Sequence, residues 1–244
     1  MSNTHLLLIF IYMSLMSCAV KENGTGEQEV AQGNYFTEVD TVGNMLVYHP
    51  HYRHIDLVCG TMPKENDESV IFCAEAAFTW ELLEEFKHSN IMGPHISGGV
   101  RYKGYNYDKN YGLFAATDSS WCIAELPNDR LLDDIVRQGG MAFTQFWVIR
   151  DGAIRKTQIQ KPTRQNIYRA IADLKGELVI VESKQVMPYQ EFVEGLKALQ
   201  VTNALFMDMG AGWNYSFYRD KNNSLHVIHP HTHNYCTNWI TFYK

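Results

Sequence analysis

"FVEGLKALQVTNALFMDMGAG", residues 192–212, compresses three structural signals into one stretch. Phe192, Val193, Leu196 and Leu199 recur at helical spacing, and Tyr189 extends the same face backward, so 188–200 is predicted as a helix. Pro188 falls in its first turn, where the missing N–H costs nothing. The apolar run from Asn203 then reads as a strand, and it ends on Asp208. Gly210 and Gly212 follow, where the backbone can bend and come close to a ligand. A carboxylate delivered by an apolar strand into a glycine-containing turn is a common catalytic placement. From spacing alone, a turn aspartate bonding its own backbone is the plainer reading.

Working outward, the same strand-and-turn grammar fills the chain. "YRHIDLVCG" (52–60) and "SVIFCAEAAF" (69–78) read as strands, and "YGLFAATD" with "SWCIAEL" as a strand pair. "AFTQFWVIRDGAI" (142–154) enters an Asp151-Gly152 turn, and "YRAIADLKGELVIVES" (168–183) is a hairpin turning near Lys175-Gly176. "NYSFYRDKNNSLHVIHP" is a second hairpin, and "NWITFYK" a final strand. Helical spacing also appears in "TWELLEEFKH" (79–88) and in "NDRLLDDIVRQGG" (128–140), which Asn128 or Asp129 caps and Gly139 ends. We therefore expect one α+β domain of twisted mixed or antiparallel sheets with about three helices.

The first residues are a targeting segment and not part of that fold. The apolar run Leu6–Met16 is too short to span a membrane, and it leads to Leu15-Met16-Ser17-Cys18. A leucine and a small residue before cysteine resemble a bacterial lipobox, with Cys18 as the lipidation site and 1–17 as the signal peptide. No Lys or Arg precedes the run, which departs from that pattern; an ordinary signal peptide or an uncleaved anchor is the alternative. Residues 18–35 are polar and read as a flexible tether, leaving 36–244 as the domain. The expected location is extracytoplasmic, on a lipid anchor, with no other membrane contact. Cys59, Cys73, Cys122 and Cys236 then lie outside the cytoplasm, where four cysteines allow three pairings and no CxxC marks a redox or zinc site. Cys59 and Cys73 fall in apolar runs, which favours buried free thiols. The net charge of −6, without a basic stripe, argues against a nucleic-acid partner. No cofactor motif appears.

In order, the C-terminal elements resemble the phosphodiester glycosidase family. "FCAEAAF" (72–78), "TQFWVIRDG" (144–152), "RAIADLKGELVIVES" (169–183), "FVEGLKALQVTNALFMDMGAG" (192–212) and "TNWITF" (237–242) stand where that family has an Asn-Gly-Gly stretch, a strand ending Asp-Gly, an Arg-led hairpin, a helix with an Asp-Gly-Gly-Gly-Ser strand end, and a closing Asn-led strand. The match spans about 170 residues. Two glycines and the serine of the Asp-Gly run are replaced, since the segment reads Asp208-Met209-Gly210-Ala211-Gly212-Trp213. The Asn-Gly-Gly stretch reads Ala74-Glu75-Ala76-Ala77. The resemblance implies hydrolysis of a sugar-1-phosphodiester or related glycosidic bond, on a carbohydrate or sugar-phosphate substrate.

Such a bond breaks at the anomeric carbon through an oxocarbenium-like transition state, which two carboxylates commonly serve. On the resemblance, Asp208 takes the base or nucleophile role and Glu75 is the second carboxylate. Arg169 is the phosphate clamp, with Arg164 as its rival in register, because a guanidinium matches phosphate as a fork. Asn238 bonds substrate or braces Asp208. Gly210, Gly212, Trp213 and His231 line the substrate; the Trp213 and Tyr215 rings could stack on a sugar, although packing in the core is the plainer reading of both. Glu75 and Arg169 also read as a structural acid and an ordinary ion pair.

His229, His231 and His233 alternate before the closing strand. Extended, they share a face, which suits a metal. Pro230 and Thr232 point to a loop, and no acidic ligand or HExxH accompanies them, so no metal is assigned and the histidines are read as a polar pocket rim. Two other classes remain beside the hydrolase: a non-catalytic glycan-binding lipoprotein that kept the fold, and, more remotely, a metal-dependent hydrolase using these histidines.

Overall fold

The structure is a computed structural model. It describes residues 21–22 (backbone), 34–79, 90–155, 161–209, 214–229 and 236–244. Strands account for 52% of it and helices for 11%. This corrects the α+β expectation: the domain is mostly β, with two α-helices, Asp129–Arg137 and Tyr189–Ala198, among the described residues. The third expected helix, 79–88, lies almost wholly outside them. The physical reason is that six-residue apolar runs joined by tight turns pair across the chain into extended antiparallel sheets, leaving the short helices as covers.

The larger sheet has the central strand order Ser120–Glu125, Tyr111–Ala116, Met141–Arg150, Val201–Phe206, Arg169–Leu174, Glu177–Ser183, Met45–His51, Phe36–Val42. Lys21–Glu22, within the expected tether, pairs with Trp121 and Ser120 at one edge. A five-stranded sheet runs Leu225–Val227, Ser216–Arg219, Val70–Glu75, Asn238–Tyr243, His54–Cys59. The principal hairpin turns where the sequence places it. Lys175 and Gly176 both take positive φ (55° and 96°), the geometry a two-residue hairpin needs, and Arg169 to Leu174 then face Glu182 to Glu177 in strict register.

The two sheets pack face to face. Tyr48, Phe72, Phe114, Phe143, Ile171 and Ile240 are among the buried side chains between them. Helix Tyr189–Ala198 sets Phe192, Val193 and Leu196 on the outer face of the larger sheet against Ala170, Val181 and Phe206. Helix Asp129–Arg137 adds Leu132 and Ile135 against Leu113 and Ala142. Its start is capped by Asn128, whose side chain accepts from Leu131 N at 3.2 Å. Val70, Cys73, Tyr215, Phe217 and Trp239 cover the outer face of the five-stranded sheet. Cys59, Cys73, Cys122 and Cys236 form no disulfide among the described residues.

Candidate active site

Three strand ends meet where the sheets converge. Val70–Glu75 delivers Glu75 at its last position, Asn238–Tyr243 begins on Asn238, and Asp208 stands two residues beyond Val201–Phe206. The Asp208 N–H donates to Ala76 O at 3.2 Å, joining one sheet to the other at this point. Sheets of alternating side chains can place polar groups here without breaking their ladders, because both strands are ending and their backbone groups need other partners.

Asn238 organises the junction. Its Oδ1 accepts from Ala77 N at 2.7 Å and its Nδ2 donates to Ala77 O at 2.9 Å, imitating a strand pair with a side chain. The same Nδ2 reaches Glu75 Oε1 at 3.3 Å, and Thr237 N donates to that oxygen at 3.4 Å. Glu75 is 0% exposed and Asp208 7%. Glu75 Oε2 has no hydrogen-bond partner among the described residues. Burial, and then the neighbouring Asp208 charge, push the Glu75 carboxyl well above the usual glutamate range, against smaller opposing effects from Cys236, Thr237 and Asn238. The Cys236 thiol is in turn pushed up by burial and by Glu75. Glu75 therefore holds its proton more tightly than an exposed glutamate does.

Arg169 adjoins this junction on its inner side. It is fully buried on the face between the sheets, where its Nε donates to Glu182 Oε2 at 2.7 Å and its Nη2 to Ser216 Oγ at 2.6 Å. Nη2 also ion-pairs with Glu182. Nη1 has no hydrogen-bond partner among the described residues. Glu182 Oε1 bonds His229 Nε2 at 2.9 Å. Burial raises the Glu182 carboxyl, but Arg169 and His229 outweigh it and hold the group below its usual range. Along Val70–Glu75, Ala74 faces the space between the sheets and Cys73 faces outward. By alternation Glu75 shares the Cys73 side and Arg169 lies on the other.

Thus Glu75, Asp208 and Asn238 come together, and Arg169, whose carbonyl accepts from Met207 N at 2.9 Å, lies beside them with its guanidinium engaged by Glu182 and Ser216. Arg164 is exposed on a loop. The Tyr215 ring is buried in the outer-face cluster, with its hydroxyl on Glu65. Gly210, Gly212, Trp213, His231, His233 and Cys18 lie outside the described residues. Among those described, no three His, Cys, Asp or Glu side chains are placed to hold a metal. Sequence reasoning missed Glu182, Ser216, Thr237 and Cys236. The signal for Glu182 was local, since a two-residue turn at Lys175-Gly176 puts residue 182 opposite residue 169. Nothing local announces the others.

No protein-family profile matches the chain, and no curated protein does. Among solved structures, the zebrafish N-acetylglucosamine-1-phosphodiester alpha-N-acetylglucosaminidase catalytic domain, auto-inhibited by its pro-peptide, superposes with a TM-score of 0.59 at 16% identity. The match covers 93% of this chain and 87% of that one. The two share a fold. A hypothetical protein from Synechocystis matches with a TM-score of 0.47 at 12% identity, over 85% of this chain and 61% of that one. At these identities the likeness concerns architecture and assigns no residue a role.

Proposed function

We propose that this protein is a hydrolase that cleaves a sugar-1-phosphodiester or a related glycosidic bond at the anomeric carbon. One observation carries the proposal: Glu75 and Asp208, distant in sequence, are brought to one junction of strand ends, where the Asp208 N–H bonds Ala76 O and Asn238 braces Glu75. The shared architecture with a phosphodiester glycosidase domain supports the same class. Asp208 is the base or nucleophile, and Glu75 is its partner, held by Thr237 N and Asn238. Gly210, Gly212, Trp213 and His231 adjoin Asp208 and Asn238 in sequence and are proposed to line the substrate. Lipid attachment at Cys18 would put the enzyme outside the cytoplasm.

The test is sugar release from a panel of sugar-1-phosphodiesters and glycosides, with and without chelator. Release is expected to resist chelator and to fall by roughly 10²–10⁴-fold in Asp208→Asn, with the circular dichroism spectrum unchanged. The replacement of two glycines and the serine after Asp208 favours a second reading, a glycan binder without turnover. Glycan binding with no release from any panel member would select it.

A further inference from the structure

The geometry points to a binding site for an organic cation with an apolar body, an alkyl- or arylammonium ion, in a groove apart from the junction of strand ends. The inference does not depend on the hydrolase reading.

The groove has a volume of about 440 Å³ and lies between helix Tyr189–Ala198 and the hairpin that joins Phe36–Val42 to Met45–His51. Local sequence shapes it. Val42 and Met45 pair across the two-residue turn Gly43-Asn44, in which Gly43 takes a φ of 59°. The helix approaches that hairpin closely because residue 195 has no side chain; a Cβ there would collide with Met45 Cε. Lys184 N donates to Asn44 O at 2.9 Å, which brings the segment leading to Met187 alongside the turn. Val42, Met45, Met187 and Leu199 then give the groove an apolar lining. Apolar surface continues past it, since Val42 and Val186 are 50% and 58% exposed. The volume is that of a small-ligand pocket.

The charge on this lining is of one sign. Glu191 and Glu194 stand three residues apart on the helix, so they share a face, and both line the groove. Glu191 Oε1 accepts from Asn44 Nδ2 at 3.3 Å, and Glu194 Oε1 from Gln190 Nε2 at 2.8 Å. Both donors are neutral amides. No Lys, Arg or His lines the groove. Two carboxylates at this spacing repel each other, and a cation placed between them relieves that cost.

Such a lining selects its ligand twice. An apolar body removes the methionine, valine and leucine surfaces from water. A positive head then meets Glu191 and Glu194. An anion with the same body is repelled, and a neutral molecule gains only the apolar contribution.

The experiment titrates the full-length protein with octyltrimethylammonium, octyl sulfate and octanol, and follows isotope-labelled methionine methyl groups by NMR. Octyltrimethylammonium is expected to move the Met45 and Met187 signals saturably and to leave Met207 and Met209, the neighbours of Asp208, in place. Octanol is expected to bind more weakly, and octyl sulfate not at all. Glu191→Gln combined with Glu194→Gln is expected to weaken ammonium binding by roughly threefold to tenfold and to remove its dependence on salt. Gly195→Ala puts a methyl group into the space of Met45 Cε and is expected to weaken ammonium and octanol alike, while the gain in helix propensity keeps the protein folded. Equal binding of octanol and octyltrimethylammonium overturns the inference, because charge then plays no part. A shift confined to Met207 and Met209 overturns it too, since the cation would then sit at the Asp208 junction. So does the lack of any saturable shift. Sugar release is read in no arm, so the outcome is separate from that of the hydrolase test.

Discussion

Glu75 and Glu182 are the same residue type, on strands of the same sandwich, 0% and 2% exposed, yet the fold treats them in opposite ways. Glu182 faces Arg169 and His229, and its carboxyl is held low in spite of burial. Glu75 faces Asp208, and its carboxyl is driven high by burial and by that charge. Burial acts in the same direction on both; the sign of the neighbour decides the outcome. The Glu182 cluster is a staple. Arg169 bonds Glu182 within one sheet and Ser216 in the other, so one guanidinium ties the two layers together. The Glu75 pair stores an unfavourable contact at a strand end, as sites of chemistry commonly do.

The largest effect should come from breaking the staple. Arg169→Met leaves Glu182 as a buried charge stripped of its main partner, and denaturant unfolding is expected to show a loss of about 3–5 kcal/mol. A loss below 1 kcal/mol would mean that the cluster is not a staple.

The Glu75 side predicts a change of opposite sign. A group whose folded-state pKa is raised binds its proton more tightly folded than unfolded, so its contribution falls as pH rises from the ordinary glutamate range toward the folded value. Glu75→Gln removes that slope. Its melting temperature should gain on wild type as pH rises across that window, and a constant gap would refute the raised Glu75 carboxyl. Glu182 obeys the converse rule, giving stability that is lost as pH falls through its depressed value. His229→Ala, which removes the bond to Glu182 Oε1, should cost about 1–3 kcal/mol and leave the Glu75 trend unaltered. The smallest effect lies far from both: Asn128→Ala deletes the cap on Leu131 N, at about 1 kcal/mol by thermal melting.

What could be read from the sequence was what neighbours in the chain determine. The Lys175-Gly176 hairpin, the helix start near Asn128 and the strand that leads to Asp208 all follow from local turn, capping and patterning chemistry, and the structure has them, with the strand stopping at Phe206, two residues short of the expected end. The fold class went wrong because helices announce themselves by period, whereas sheet extent depends on distant pairings such as His54–Cys59 with Asn238–Tyr243. The meeting of Glu75 with Asp208 and Asn238 is likewise non-local. It was reachable only through the family resemblance, while Arg169's partner was legible in hairpin arithmetic.

The strand Asn238–Tyr243 lies inside the five-stranded sheet, between Val70–Glu75 and His54–Cys59. A polypeptide that emerges amino end first therefore makes both flanking strands long before the piece that joins them. Until residue 243 is out, those two strands have no partner on their facing sides, Ala76 and Ala77 lack their Asn238 contacts, and the interior between the layers stays open. Closure of this sheet therefore waits on the arrival of Asn238–Tyr243, however early its two neighbours are made.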